Sequence, residues 1–193
     1  GRQRRGFAAR CDHAGECVVE SGDHYVQHPG QLPAHHRAGQ TLPQILTPVI
    51  IDGTTQPGSS VNGDADTFNA NLCVLLKPAS GTLSYGFNVP TGASVGSLTL
   101  RGLGFGGFAQ PVMLLGGSNH VIAGNQFGGS VTGIPLPGAT LSAISIGLNA
   151  SGSLIVGGNS LADRNVIGGA DFSGINVAGT VSSSTDRCQF VNN

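Results

Sequence analysis

The stretch Ser97-Leu-Thr-Leu-Arg-Gly102 sets the pattern for most of the chain. Its two leucines alternate with polar residues, as in a half-buried β-strand, and the glycine that follows favours a sharp turn. Similar short apolar runs, most of them ending in Gly or Asn, recur from residue 41 onward. The other runs are Val49-Ile-Ile-Asp-Gly53, Leu72-Cys-Val-Leu-Leu76, Val112-Met-Leu-Leu-Gly116, His120-Val-Ile-Ala-Gly-Asn125, Ala143-Ile-Ser-Ile-Gly147, Ser153-Leu-Ile-Val-Gly157, Arg164-Asn-Val-Ile-Gly168 and Gly174-Ile-Asn-Val-Ala-Gly179.

This pattern predicts an all-β fold in which a coil turns sharply after each strand and successive coils pair in parallel. The apolar side chains would then stack inward, and several coils are needed because one coil cannot bury its apolar face alone. Leu98, Leu100, Ile144 and Ile146 are expected in that core, together with Ile175 and Val177. No segment has the pattern of an amphipathic helix, which excludes βαβ folds. An antiparallel sandwich joined by hairpins is the alternative.

The composition changes near residue 40, which we take as a domain boundary. Residues 1–40 hold five of the nine basic residues and five of the six histidines. They show no sustained period of two or of 3.6 residues. We predict an irregular leader over 1–40, either flexible or translated from a shifted reading frame, and parallel β-helix repeats over 41–193.

Low charge limits the classes of partner. The net charge is −1 and only 10% of the residues are charged, so no global field would attract nucleic acid. No stretch reaches the roughly 20 apolar residues that a membrane span needs. The four cysteines, Cys11, Cys17, Cys73 and Cys188, allow two disulfides in three pairings, or free thiols.

Three stretches carry a resemblance to a known family. They are Leu46-Thr-Pro-Val-Ile-Ile-Asp-Gly-Thr-Thr-Gln-Pro-Gly58, Gly117-Ser-Asn-His-Val-Ile-Ala-Gly-Asn-Gln-Phe-Gly-Gly129 and Gly157-Gly-Asn-Ser-Leu-Ala-Asp-Arg-Asn-Val-Ile-Gly-Gly169. The chain from about residue 41 resembles the bacterial right-handed parallel β-helix repeat proteins, which are secreted or cell-surface proteins. The resemblance implies a right-handed solenoid and an extracellular location. It supplies no catalytic residues, and both ends of the chain read as incomplete coils, as in a fragment.

The candidate site residues of the body are few. Asn62, Asp64 and Asp66 place oxygen atoms at alternate positions, as a calcium loop does, although Thr67 and Cys73 stand where such a loop has Gly and Glu. Calcium is the one cofactor that this pattern suggests. A zinc set of Cys11, Cys17, His24 and His28 has too short a central spacer for a zinc finger.

The remaining candidates read as structural. Asp52 and Arg101 follow apolar strands and could face one another, and Asp163 with Arg164 predicts a salt contact at a corner. The Gly-rich segment 102–107 predicts a corner, since no helix follows it as a dinucleotide loop requires. His120 is predicted to be a corner residue at the start of a strand.

The sequence therefore favours a structural or binding module, with no assigned catalytic residue. The expected partners are surface glycans or proteins and the neighbouring coils of a longer chain. The alternative is a fragment of a polysaccharide lyase or hydrolase, since such enzymes also use this fold. A lyase would need clustered carboxylates for calcium plus a Lys or Arg base, and a hydrolase would need two carboxylates roughly 5–10 Å apart.

Overall fold

The protein is almost entirely β-structure. A computed structural model describes residues 7–11, 16–21, 34–38, 42–78, 85–93, 96–131, 134–147, 149–178 and 187–191. No helix in this described part is long and apolar enough to cross a membrane. Two short 3-10 helices cover Gly53–Thr55 and Leu161–Asp163. In chain order the strands are β1 (Phe7–Cys11), β2 (Glu16–Ser21), β3 (Ala34–Ala38), β4 (Val49–Asp52), β5 (Val74–Pro78), β6 (Tyr85–Val89), β7 (Leu98–Arg101), β8 (Leu103–Phe105), β9 (Gln110–Leu114), β10 (Ser118–Ala123), β11 (Gln126–Phe127), β12 (Gly129–Val131), β13 (Ile134–Leu136), β14 (Ser142–Ile146), β15 (Ser151–Gly157), β16 (Val166–Ile167), β17 (Ser173–Val177) and β18 (Arg187–Val191).

Three large sheets contain most of these strands. Sheet 1 has the spatial order β18-β15-β10-β7-β4, sheet 2 has β1-β2-β3-β5-β8-β11-β16, and sheet 3 has β17-β14-β9-β6. All pairs in these sheets are parallel except β1 with β2. The predicted parallel pairing is confirmed, and the antiparallel sandwich is wrong because, among the described strands, hairpins join only β1–β2 and β12–β13.

The chain visits sheets 1, 2 and 3 in the same order again and again. We call each such visit a rung: rung 1 is β4-β5-β6, rung 2 is β7-β8-β9, rung 3 is β10-β11-β14 and rung 4 is β15-β16-β17, while β18 adds one more strand to sheet 1. This order of parallel strands fits a β-solenoid-like fold, in which each layer buries its neighbour.

The core lies between the three sheets and consists of columns of side chains in register. In sheet 1, Leu100 pairs with Ile51 on one side and Ile122 on the other, and Leu100 and Ile122 are fully buried. In sheet 2 the rings of Phe105 and Phe127 stack with centroids 4.8 Å apart. Burial of each such side chain stabilises the fold by roughly 1.5–3 kcal/mol. The predicted core positions Leu98, Leu100, Ile144 and Ile146 are confirmed as buried.

The first 40 residues contain strands that the sequence did not predict. β2 and β3 pair in parallel, and β3 pairs with β5 over the five residues Ala34–Ala38. The composition boundary near residue 40 is therefore not a boundary of sheet 2. Strand formation there depends on pairing with β5, a long-range contact that local periodicity cannot reveal.

Three segments interrupt the rungs. The first, which we call the insert loop, is 53–73; the second is the β12–β13 hairpin; the third, the corner loop, is 158–165. Leu72 of the insert loop and Leu136 of the hairpin pack with Leu75 of β5 in a second, smaller apolar cluster. The insert loop and the hairpin are thus fixed to the outer face of sheet 2.

The two ends of the core differ. At the amino-terminal end Phe87 and Val89 of β6 are buried, and Leu42 and Ile45 from the segment before β4 belong to the same apolar cluster. The amide of Ile45 donates a hydrogen bond to the Asn88 carbonyl at 2.8 Å. At the other end Val177 is 46% exposed, although it was expected in the core. Its in-register neighbour in β14 covers one side only.

Candidate functional site

Six of the ten charged residues after residue 40 gather where sheet 1 turns into sheet 2, a region we call the charged corner. Two follow or end strands of sheet 1, two belong to the insert loop and two to the corner loop. They are Asp52, Arg101, Asp64, Asp66, Asp163 and Arg164. Four carboxylates against two guanidinium groups leave this corner with an excess of negative charge.

Glycines allow both loops to approach the corner closely. Gly102 and Gly124 occupy the same position in rungs 2 and 3, and both have positive φ (63° and 67°). A Cβ on Gly102 would lie 2.6 Å from the Thr54 methyl group, and one on Gly124 would lie 2.7 Å from the Ala162 carbonyl oxygen. The predicted Gly-rich corner therefore serves both the turn and the packing of the loops over it.

Arg101 forms an ion pair that joins two distant parts of the chain. Its Nη1 lies 2.8 Å from Oδ1 of Asp163, although the two residues are 62 positions apart in sequence. Asp52 is in register with Arg101 across β4 and β7, as the sequence suggested. However, the Asp52 carboxylate accepts from the Thr54 amide at 2.9 Å and from the Thr54 hydroxyl, and so caps the turn after β4.

Asp163 is held by more than its ion pair. Its Oδ2 accepts hydrogen bonds from the Ser160 hydroxyl at 2.7 Å and the Ser160 amide at 3.3 Å. Burial alone raises the pKa of Asp163, but the hydrogen bonds from Ser160 and Arg101 outweigh it and hold the pKa below its usual value. The sequence predicted a salt contact at this corner but not that Arg101 would supply it.

Asn62 joins the insert loop to the corner loop. Its side chain is buried, and its Nδ2 donates to the carbonyl oxygens of Asp64 and Leu161, both at 3.0 Å. Its Oδ1 accepts from the Asn69 amide at 2.9 Å. Arg164 adds a longer contact of 3.5 Å from Nη1 to the Asp64 carbonyl. The two loops, from rungs 1 and 4, therefore form one connected surface.

The calcium candidates Asn62, Asp64 and Asp66 lie together, but the side-chain oxygens of the first two already have partners. Asp64 Oδ1 accepts from the amides of Asp66 at 2.8 Å and Thr67 at 3.1 Å. The hydrogen bonds from Thr67 and Asp66 lower the pKa of the exposed Asp64 carboxyl. Within the described ranges no group of three His, Cys, Asp or Glu side chains is placed to hold a metal. Calcium binding stays a prediction.

The corner offers little enclosed space. A cavity of about 10 Å³ lies between the insert loop and the corner glycines, lined partly by Thr54, Ser60, Asn71 and Ala162. A volume of that size holds about one water molecule. A partner of the charged corner would therefore bind on its surface.

Two buried asparagines lie beneath the charged corner, and neither was expected to have a role. Asn125 and Asn165 occupy the same position in rungs 3 and 4, and both are fully buried. Asn165 Oδ1 accepts from the Asn125 amide at 3.0 Å, and Asn125 Nδ2 donates to the Leu100 carbonyl at 3.0 Å. The signal was the shared spacing Asn-x-Phe-Gly-Gly129 and Asn-x-Ile-Gly-Gly169.

His120 is a core residue and not a corner residue, which corrects the sequence prediction. It is fully buried in β10, in the column between Leu98 and Leu154. Its Nδ1 accepts from the Leu98 amide at 3.1 Å, and its Nε2 lies 3.0 Å from the Gly116 carbonyl. This arrangement requires a neutral ring with the proton on Nε2. Burial lowers the pKa of His120.

No family model, curated protein or solved structure matches this chain.

The other sequence candidates do not add to the charged corner. His24 and His28 of the zinc set lie outside the described residues, and Cys11 and Cys17 are described only as members of β1 and β2. The free thiol of Cys73 is half-buried at the end of the insert loop, 3.9 Å from Asn71 Nδ2.

Proposed function

We propose that this chain is a right-handed β-helical module of a secreted or cell-surface protein, and that it binds a surface glycan through the charged corner. The right-handed path of the coil is supported by the parallel pairing, because connections between parallel strands of one sheet are right-handed in about 98% of cases. The secreted or surface location rests on the resemblance of residues 41–193 to bacterial surface solenoids.

The convergence of the interruptions on one side of the solenoid carries the proposal. In repeat proteins, insertions between repeats map to loops on one face, which is often the binding face. The insert loop and the corner loop meet at Asn62 and Leu161, 99 residues apart in sequence. Loops carried by a rigid scaffold are the usual place for binding residues.

The chemistry of the corner favours a polar, uncharged or cationic glycan. Carboxylates and amide oxygens accept the hydrogen bonds that sugar hydroxyls donate. The lowered pKa values of Asp64 and Asp163 keep both groups negative at neutral pH. That fixed negative charge repels acidic polysaccharides, which favours binding of neutral or amino sugars.

Glycan-array binding tests the proposal, with a matched pair of variants. The double variant Asp64→Asn, Asp66→Asn removes two charges, while the amide oxygen introduced at position 64 can still accept the two backbone hydrogen bonds. The control Asp171→Asn removes an exposed carboxylate at the corner between sheets 2 and 3, away from the charged corner. We expect the parent and the control to bind the same glycans and the double variant to lose most of that binding.

Two results would overturn this function. The first is an array on which the parent binds nothing, or on which the double variant binds like the parent. The second is release of sugar fragments from a bound polysaccharide, since that would show catalysis and favour the lyase or hydrolase alternative.

A further inference from the structure

Two of the four cysteines occupy directly opposite positions in the β1–β2 hairpin. The antiparallel register of these strands runs from Phe7 opposite Ser21 to Cys11 opposite Cys17. Opposite residues of an antiparallel pair have Cα atoms about 4.5 Å or about 5.5 Å apart, depending on whether they exchange backbone hydrogen bonds. Both separations lie within the range of about 4.4–6.8 Å that a disulfide spans. The backbone of this hairpin is therefore compatible with a bond between Cys11 and Cys17.

The other two cysteines lie elsewhere in the fold. Cys17 is level with Leu76 of β5, with β3 between the two strands, whereas Cys73 lies three positions before Leu76. Two strand spacings amount to roughly 9–10 Å, which exceeds the limit of about 7 Å between Cα atoms for a disulfide. Cys188 belongs to β18 of sheet 1. Of the three possible pairings, only the one that joins Cys11 to Cys17 links residues in register.

A bond at this position would act on the edge of sheet 2. β1 is the outermost described strand of that sheet, and its one described partner is β2. A covalent link between them holds the hairpin in its observed register, since a slip of one residue would separate the two cysteines. It also closes a ring that constrains the unfolded chain.

We infer that Cys11 and Cys17 form a disulfide that fixes the outer hairpin of sheet 2. The oxidant is a disulfide, either of low molecular weight or of another protein. The thiolate of one cysteine attacks it, forms a mixed disulfide and releases one thiol. The thiolate of the second cysteine then attacks the mixed disulfide, forms the bond between the two cysteines and releases the second thiol. The two cysteines lose two electrons and two protons, which the two released thiols carry.

The surroundings of the protein decide whether this bond persists. Disulfides are maintained in oxidising locations outside the cell and are rare in the cytosol. The secreted or surface location proposed above would therefore keep the hairpin closed. The bond itself depends only on the register of β1 and β2, and not on glycan binding.

Non-reducing peptide mapping tests the inference. The folded 193-residue protein is incubated with glutathione disulfide, its free thiols are alkylated, and a glutamate-specific protease cuts after Glu16 and Glu20. These cuts place Cys11 and Cys17 on separate peptides. We expect the two peptides to stay joined until a reductant is added. The other two cysteines should carry the alkyl group.

A matched pair of variants identifies the bond. Cys17→Ser should abolish the joined peptides and leave Cys11 open to alkylation. The control Cys73→Ser removes a half-buried thiol that is free in the structure and should leave the joined peptides unchanged.

A redox titration separates a bond favoured by the fold from one that forms because the two cysteines are close in sequence. At a fixed glutathione concentration the native protein should be half-oxidised at a glutathione disulfide concentration at least about tenfold lower than in urea, a shift of about 30 mV. In the native protein the amides of Phe7–Cys11 should exchange more slowly after oxidation, whereas those of Ser142–Ile146 should not change.

Four results would each overturn the inference. They are separate peptides after oxidation, a link from Cys11 to Cys73 or Cys188, equal titration midpoints with and without urea, and thiols whose protection is reversed by a chelator and not by a reductant. The last result would show that the two cysteines hold a metal.

Discussion

Core side chains in the first and last described layers of the stack are buried to different extents. At the amino-terminal side Ile45, in the segment before β4, is 3% exposed and belongs to the same apolar cluster as Phe87 and Val89. In the last described layer Val177 and Phe190, which belong to the same kind of columns, are each 46% exposed. In a stack of layers each interior layer is covered on both sides. An outer layer is covered on its free side only where another segment packs over it. The repeat therefore determines which side chains point inward, whereas a covering layer determines whether they are buried.

The largest expected effect is a difference in stability between two variants of one core column. One position lies in the middle of the stack and the other in the last described layer. Ile144 is fully buried in β14, and Ile175 is its half-buried neighbour in β17. Ile144→Ala should destabilise the protein by roughly 2–5 kcal/mol through lost burial and a cavity. Ile175→Ala should cost less than half as much, because its site is already partly exposed. Urea denaturation of both variants measures the difference; equal losses would show that the end is as well packed as the middle.

The closed end should be nearly as sensitive as the middle. Ile45→Ala removes a buried side chain and should cost roughly 2–4 kcal/mol, while its backbone hydrogen bond to Asn88 remains. The loss should be local, with faster hydrogen exchange of the β6 amides than of the β14 amides. Leu46→Ala is the control, because Leu46 is 56% exposed and should cost little. Similar losses for both variants would mean that this segment does not close the core.

Acid should destabilise the protein through the buried His120. The pKa of His120 is lowered in the folded protein, so below about pH 6.5 the unfolded chain binds a proton that the folded chain does not. Stability from this residue is complete above that pH. As pH falls from there to the folded pKa, it declines by up to about 1.4 kcal/mol per pH unit.

The His120→Leu variant isolates this effect. Its stability should be lower overall, since the Leu98 amide loses its acceptor, but the acid slope assigned to His120 should disappear. Chemical denaturation of parent and variant between about pH 7 and about pH 5 gives the two slopes. Identical slopes would show that His120 does not remain neutral in the folded core.

The smallest effect concerns the Arg101–Asp163 ion pair, which joins rungs 2 and 4 at the surface. Arg101 is 42% exposed, so Arg101→Ala should cost less than about 1 kcal/mol, and less still at high salt. Denaturation at low and high ionic strength measures it. A loss as large as that of Ile144→Ala would mean that the charged corner, and not the core, joins the rungs.

The sequence predicted the repeated element well because the signal is local. Leu98 and Leu100 alternate with polar residues, and this spacing alone places both on the buried face. Parallel pairing also followed, since single runs are too short to bury themselves. The features that the sequence did not predict depend on contacts between residues that are distant in sequence. The Arg101–Asp163 pair requires the lengths of the loops between rungs, which no local pattern contains.

The burial of polar residues in the core was the other feature that the sequence did not predict. From the sequence alone a histidine at the start of a strand is expected at the surface. His120 is buried instead, because both ring nitrogens have backbone hydrogen-bond partners. Asn125 and Asn165 are buried for the same reason. Val177 shows the opposite case: its pattern matches that of Ile146, its in-register neighbour in β14, but it is 46% exposed.

Rungs 2 and 3 stack in parallel, with Val121 opposite Thr99 and Ile122 opposite Leu100. Backbone nuclear Overhauser contacts between Leu98–Arg101 and Ser118–Ala123 test it most directly. We expect amide contacts that advance in the same direction along both strands with this register. Short contacts between opposed α-protons, with one strand running backward against the other, would contradict it.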